Sequence, residues 1–504
     1  MPTHQSKLRW VVILGLVVIG VVGAAYFQRE TGPTKPPVRS VQPTTLPPLL
    51  SAEEENGLRV RLSALLRTLP KKSQKTVAIL DPGNGRYLFK FEPTRTLVPA
   101  SNEKLITAAA LVGLRGPDFE LETTVFSTAP MKDGVLSGDL VIRGGGDPTF
   151  SKNFNEEGAL AALRPLVDAL KSKGLKRLEG RVLVDDSLFV GKRTGPVWPK
   201  DDLWRTWMVE VTALPFNDNR IDLVCDLQGG KPRVRFDPDV GYGQIVNRLA
   251  PARSAKEHKI IFSRPADKDV FTVSGKLWAP KKPFRDDANV HDGALYFAAA
   301  FIKALEMGGV QVDGGFGRLE RPLPKDKKHV LYVWRTPLSV CLPVMLKKSQ
   351  NLYAEIFFRH IALASKKEPS FLGAATATRE YLRKAGVLEP FTRIADGSGL
   401  SRANLISARQ LARVLAMVHR SEHGQWFKDA LAHPGESGTL RRRMKGLEGR
   451  VAAKTGTLSR ISALSGYVKT KSGRWLVFAG LYNDGPVAKF RHVQDEICHI
   501  LADL

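Results

Sequence analysis

Cysteine is scarce in this chain of 504 residues: Cys225, Cys341 and Cys498 are the only three. An odd, widely spaced set is not a disulfide framework, and no C-x-x-C offers a metal or redox pair. Three other signatures are missing. Without G-x-S-x-G there is no nucleophile elbow of the α/β-hydrolase kind. Without a P-loop, or a G-x-G-x-x-G after a strand, a nucleotide cofactor has no support. No helix-turn-helix, zinc-finger spacing or aromatic-rich RNA-binding signature is present, which argues against nucleic acid as a partner. No internal repeat is found, and no cofactor of any kind is expected.

Acidic residues are also in short supply, 50 against 76 Lys and Arg, giving a net charge of +26. A basic surface attracts polyanions, among them lipid headgroups and wall polymers, although a solvated basic face is the plainer reading. The length suggests two or three domains.

Lys7 and Arg9 precede an unbroken apolar run from Trp10 to Phe27. At about 1.5 Å per residue it reaches roughly 27 Å, enough to span a bilayer core. The flanking cations favour a cytoplasmic N-terminus. An uncleaved membrane anchor is expected over 1–28. Gly23-Ala24-Ala25 leaves a cleaved signal peptide as the alternative. Either way the remainder is exported. A Pro-rich linker over 29–50, with Pro33, Pro36, Pro37, Pro43, Pro47 and Pro48, would act as a semi-rigid spacer.

Beyond it, Leu58, Leu62, Leu65, Leu66 and Leu69 recur at helical spacing within Ala52 to Leu69. Val77 to Leu80 and Tyr87 to Phe91 read as strands around the turn Asp81-Pro82-Gly83-Asn84-Gly85. From about Val125 to Pro283 short strand-like runs alternate with Gly and Pro turns. Helical patterns then return over Gly293 to Met307, Leu338 to Ala364, Ala374 to Lys384 and Ser407 to Val418, with a break expected at Pro343. Two strands, Ile461 to Lys469 and Trp475 to Tyr482, and a last helix from about Val487 to Leu501 close the chain. The expected division is a first catalytic part over 51–124, a β-rich insertion over 125–287 and a second catalytic part over 288–504.

Ser101-Asn102-Glu103-Lys104 is the single S-x-x-K. At a helix start, positions i and i+3 share a face, so the serine hydroxyl meets the lysine amine. A serine needs an adjacent base, and a lysine serves when burial lowers its pKa. Alone, the motif reads as an N-cap serine followed by a surface lysine. Lys454-Thr455-Gly456-Thr457 follows Val451-Ala452-Ala453 in an expected strand. Its lysine and hydroxyls can grip a carboxylate, and its glycine admits a substrate backbone. Ser349-Gln350-Asn351 lies between these two motifs, in an apolar helical pattern; alone it would be a polar break between helices. Arg193-Thr194-Gly195, Lys471-Ser472-Gly473 and Ser151-Lys152-Asn153 are near-matches in less suitable contexts. His419-Arg420-Ser421-Glu422-His423 spells an inverted zinc-protease pattern, but a third ligand and a supporting helix are wanting, and no metal site is expected. Gly144-Gly145-Gly146-Asp147 reads as a tight turn in preference to a phosphate cradle.

In the order S-x-x-K, S-x-N, K-T-G the three groups resemble the serine penicillin-recognising enzymes. Pro99-Ala100-Ser101-Asn102, Gly144-Gly145-Gly146-Asp147-Pro148-Thr149, Asp396-Gly397-Ser398-Gly399-Leu400-Ser401, Ser437-Gly438-Thr439-Leu440, Ala453 to Leu458 and Leu464-Ser465-Gly466-Tyr467-Val468 sharpen this. They resemble the D-alanyl-D-alanine carboxypeptidase/endopeptidases of the class C low-molecular-mass penicillin-binding proteins. That family also carries an insertion between its first two motifs. Gln350 departs from the Asn or Asp common there.

The resemblance implies an α+β fold, a penicillin-binding transpeptidase-like domain with an antiparallel sheet flanked by helices and a β-rich insertion. It implies peptidoglycan as substrate and β-lactams as covalent inhibitors. It also implies roles: Ser101 as nucleophile, Lys104 as base, and Ser349 passing a proton to the leaving amine with Lys454 nearby. Asn351, Lys454, Thr455, Gly456 and Thr457 would bind substrate, and the N–H groups of Ser101 and Thr457 would hold the oxyanion. Two other functions compete, a β-lactamase-like hydrolase and a wall-binding scaffold without catalysis. The long insertion argues against the first, and the complete motif set against the second.

Overall fold

The computed structural model describes residues 49–199, 205–279, 282–321, 323–324 and 328–504; the apolar run Trp10–Phe27 and the spacer Thr31–Pro48 lie outside them. Among the described residues no helix is long and apolar enough to cross a membrane.

Helix α1 (Ala52–Arg67) opens with a capping box between Ser51 and Glu54, each side chain accepting from the other's backbone N–H. Its buried face carries Leu58, Leu62 and Leu66. Strands β1 (Gln74–Leu80) and β2 (Tyr87–Phe91) form the expected antiparallel hairpin. A short 3₁₀ turn, Ala100–Asn102, leads into α2 (Glu103–Arg115). Residues Glu103 to Val112 of α2 are buried on every side, as expected of an Ala- and Leu-rich helix running through a core.

The chain then builds the inserted lobe. Its main sheet comprises β3 (Glu120–Ser127), β4 (Leu140–Arg143) and β5 (Val182–Asp185); helix α3 (Gly293–Met307) follows, then β6 (Phe316–Arg318) and β7 (His329–Pro337). The strand order is β6-β5-β4-β3-β7. Because β3 and β7 pair antiparallel, the segment departs and returns along neighbouring strands. Small sheets extend the lobe; in one, Arg220–Gln228 lies between Lys231–Asp237 and Phe284–Asn289. Helix α3, expected with the second catalytic part, packs here instead. Its Ala294, Phe297 and Phe301 share a buried cluster with Val182, Val184 and Leu223. Helical periodicity shows that a face is buried but not which sheet buries it.

After β7 come α4 (Leu338–Lys348), α5 (Asn351–Ala364), α6 (Phe371–Lys384) and α7 (Ala408–Arg420). The last elements are β8 (Val451–Leu458), β9 (Ile461–Lys469), β10 (Trp475–Asn483) and α8 (Val487–Ala502). The break expected at Pro343 falls instead at Ser349, and Pro343 sits within α4. A proline removes one ladder donor. A left-handed residue such as Ser349, at φ 62°, turns the chain out of the helix altogether.

The catalytic lobe is centred on an antiparallel sheet of order β8-β9-β10-β1-β2. Alternate residues face opposite sides. Val77, Ile79 and Phe478 pack with Leu58, Leu62, Phe490 and Ile497 of α1 and α8. Ala78, Ala479 and Leu481 belong to the cluster that holds α2, α5 and α7. Burial on both faces accounts for the continuous apolar runs of these strands. This is the expected α+β architecture, an antiparallel sheet flanked by helices, and it leaves β8 at an edge.

Candidate active site

Ser101 sits where the 3₁₀ turn meets α2, after Ala100 at φ 45°. The helical offset brings Lys104 Nζ to 3.1 Å from Ser101 Oγ. Lys104 is fully buried. Its other N–H groups donate to Asn351 Oδ1 and to the Ser398 carbonyl, each at 2.7 Å. Burial pulls the Lys104 ammonium down to about 8, against the opposing pull of Glu355, Asp396 and Glu103. The amine is thereby brought within range of general-base work near neutral pH.

The turn between α4 and α5 supplies the next group. Its left-handed Ser349 directs Oγ to Lys454 Nζ, 2.9 Å away, while Asn351 opens α5 and meets Lys104. Lys454 also donates to the Thr455 carbonyl at 2.9 Å. Burial holds the Lys454 amine well below the usual lysine range, and the charge of Lys104 lowers it further. Thus Ser101, Lys104, Ser349, Asn351 and Lys454, drawn from three separate segments, form one connected set.

Thr455, Gly456 and Thr457 lie on the edge strand β8. Ala432 covers that edge as far as Ala453, and Asn102 Nδ2 donates to the Lys454 carbonyl at 2.8 Å. Beyond this point β8 runs open beside Ser101. A Cβ on Gly456 would stand 2.9 Å from the Pro99 carbonyl and 3.0 Å from Ser101 N, so only glycine lets the strand pass this close. An open strand edge accepts an extended peptide through main-chain hydrogen bonds. The peptide would lie across Ser101.

Sequence reasoning missed the buried acids beneath Lys104. Glu355 accepts from Gly397 N at 2.9 Å and Ser398 N at 2.8 Å, fixing the carbonyl that Lys104 donates to. Burial, with Asp396 adding to it, pushes the Glu355 carboxyl up to about 8. Asp396 gathers Gly399 N, Ser401 N, Asn404 Nδ2 and Trp198 Nε1 at 2.7–2.9 Å. Glu103 is fully buried and its carboxyl is raised well above the usual range, first by burial and then by Asp396. The signal was present in Asp396-Gly397-Ser398-Gly399, but spacing alone could not place that loop against α2. Asp218, in a left-handed turn of the inserted lobe, was missed as well. It accepts from Gln350 Nε2 at 2.9 Å, Tyr353 Oη at 2.8 Å and Asn153 Nδ2 at 2.6 Å.

Two near-matches lie elsewhere: Arg193 pairs with Asp292 at 3.0 Å and Lys471 with Asp503 at 3.0 Å. Ser151-Lys152-Asn153 lies behind the site, Asn153 sharing Asp218 with Gln350 and accepting from Lys348 at 2.9 Å, while Lys152 pairs with Asp222 at 2.6 Å. His419 rests against the Tyr467 ring.

The fold is similar to that of penicillin-binding protein 4 (dacB) from Haemophilus influenzae, with a TM-score of 0.75 at 24% identity over 88% of this chain and 99% of that one. Its complex with a β-lactam gives a TM-score of 0.70, again at 24% identity, over 88% of this chain and 100% of the other. In sequence the chain is 31% identical to the D-alanyl-D-alanine carboxypeptidase of Actinomadura sp. (strain R39), over 85% of this chain and 81% of that protein. It is 25% identical to D-alanyl-D-alanine carboxypeptidase DacB of Haemophilus influenzae, over 84% and 88%. The model of the D-Ala-D-Ala carboxypeptidase 3 (S13) family matches residues 58–504, and the chain belongs to that family. It is a serine-type D-Ala-D-Ala carboxypeptidase of the class C low-molecular-mass penicillin-binding proteins.

Proposed function

We propose that this enzyme hydrolyses D-alanyl peptide bonds of peptidoglycan, at stem-peptide ends and at cross-links, through an acyl-enzyme on Ser101. The observation that carries the reading is the 3.1 Å contact between Ser101 Oγ and a fully buried Lys104 whose amine is drawn down to about 8. Neutral Lys104 takes the hydroxyl proton as Oγ attacks the D-alanyl carbonyl. The N–H groups of Ser101 and Thr457 receive the oxyanion. As the C–N bond breaks, Ser349 gives its proton to the leaving amine and regains one from the Lys104 ammonium, which restores the neutral Lys104 amine; Lys454, 2.9 Å from Ser349 Oγ, stabilises the hydroxyl during that transfer. Asn351 orients Lys104 and holds the substrate amide. Water then cleaves the ester, its proton returning through Lys104 to Ser101.

The edge of β8, with Thr455, Gly456 and Thr457, binds the substrate as an added strand. β-Lactams, mimicking the D-alanyl bond, acylate Ser101 and stay bound as the ester. In this reading the apolar run Trp10–Phe27 tethers the enzyme to the inner membrane, within the cell envelope.

Intact-mass measurement after a fluorescent penicillin tests the site. One adduct on wild type and none on Ser101→Ala is expected; equal labelling of both would sink the proposal. Product masses from purified muropeptides then separate loss of terminal D-alanine from cross-link cleavage.

A further inference from the structure

We infer that Arg491 is a specificity-determining residue that reads the free carboxylate on the amino acid leaving the scissile bond; this rests on the hydrolase reading above. Arg491 projects from α8 and its Nη2 donates to Thr457 Oγ1 at 3.2 Å. Side chains alternate along a strand, so Thr455 and Thr457 share one face of β8, opposite the face that carries Lys454. Arg491 reaches that threonine face from α8, which packs on β9, the neighbour of β8.

Arg491 is exposed and forms no ion pair among the described residues. The nearby Asp495 is taken by Arg443 at 2.6 Å. Two more guanidiniums close the same end of the strand. Arg402 donates to the Ser459 carbonyl at 2.9 Å and Arg460 to the Asp484 carbonyl at 3.0 Å, again with no carboxylate partner among the described residues.

Helix α8 begins after Pro486 with no acidic residue in its first turn, so that turn offers Arg491 no carboxylate. A carboxylate seated on the Thr455 and Thr457 hydroxyls completes the arrangement, because a guanidinium fork matches a planar carboxylate. In a D-Ala-D-Ala end that carboxylate belongs to the leaving residue. It is lost when the residue is amidated or extended at that position. Arg491 therefore selects bonds whose leaving residue keeps its carboxylate free, whether at a stem end or at a cross-link.

The test compares one peptide ending in D-Ala-D-Ala as a free carboxylate with the same peptide as its C-terminal amide. Wild type, Arg491→Ala and Arg491→Lys are assayed on both. Wild type should prefer the carboxylate. Arg491→Ala should lose about tenfold of that preference in kcat/KM, through KM on the carboxylate peptide, and Arg491→Lys should recover part of it. An unchanged preference in Arg491→Ala, with wild type turning over, overturns the assignment and leaves the hydrolase reading intact. Failure of wild type to cleave either peptide overturns both.

Discussion

The carboxylate of Asp218 accepts from Nε2 of Gln350 at 2.9 Å, so a loop of the inserted lobe holds the turn that carries Ser349. The same carboxylate takes the Tyr353 hydroxyl at 2.8 Å, one turn into α5. The lobe is thus more than a decoration between the first two motifs. Gln350, a departure from the residues common at this position in the family, is the side chain that makes the tie.

Asp218→Ala should lower the rate of acylation by penicillin about tenfold or more. Gln350, Tyr353 and Asn153 would each lose an acceptor, and a misplaced Ser349–Asn351 turn misorients Lys104. Stopped-flow or gel-based labelling rates would show it. A wild-type rate in the variant would mean that the turn holds its shape without the lobe.

Acylation should depend on pH with a limb near 8. In the proposed mechanism the neutral amine of Lys104 is the working base, and burial brings its conjugate acid down to about 8. The neutral fraction therefore grows as pH rises, and the rate should fall about tenfold per unit of pH below the limb. Labelling rates across a pH series check this, and Lys104→Ala should lose roughly 10²- to 10⁴-fold above the limb, with the limb itself absent and the deficit narrowing as pH falls.

Gly399→Ala should be severely disruptive. Gly399 has φ 80°, and an added Cβ would collide with the Ala100 carbonyl, next to Ser101. The strained backbone and the clash together should cost about 2–4 kcal/mol, seen as a lowered melting temperature. Covalent labelling should fall as well, because relief of the clash shifts Ser101.

Glu355→Ala should destabilise the site from beneath. It leaves the N–H groups of Gly397 and Ser398 buried and unpaired, at about 1–3 kcal/mol each. Loosening the Ser398 carbonyl also frees one of the three groups that position Lys104. Denaturant unfolding and labelling rate should both register the change, whereas Glu355→Gln should recover part of it, since its amide keeps one acceptor oxygen where the wild-type side chain accepts from two N–H groups.

Much of this was legible in the order of residues. The hairpin around Asp81 to Gly85, the helix from Ala52, the strands from Ile461 and Trp475 and the last helix announce themselves through periodicity and turn chemistry, because local conformation is set by neighbours in the chain. The pairing of Ser101 with Lys104 is equally local, being one helical turn. The pairs that span the chain are of another kind. Lys104 with Asn351, Lys454 with Ser349, and Asn102 with the Lys454 carbonyl could be guessed only from motif order; distance along the chain carries no information about distance in space.

Residue order was enough for most of the elements and for the pairing of Ser101 with its neighbouring amine. The tertiary structure decided everything that depends on burial and on contacts between distant segments. It set α3 within the inserted lobe and moved the helix break from Pro343 to Ser349. It sank Glu103 and Glu355 beneath Lys104, where charge read along the chain would leave them on the surface. The reason is physical: desolvation and Coulomb terms act through space, and only the folded chain fixes which groups lose water and which charges they then meet.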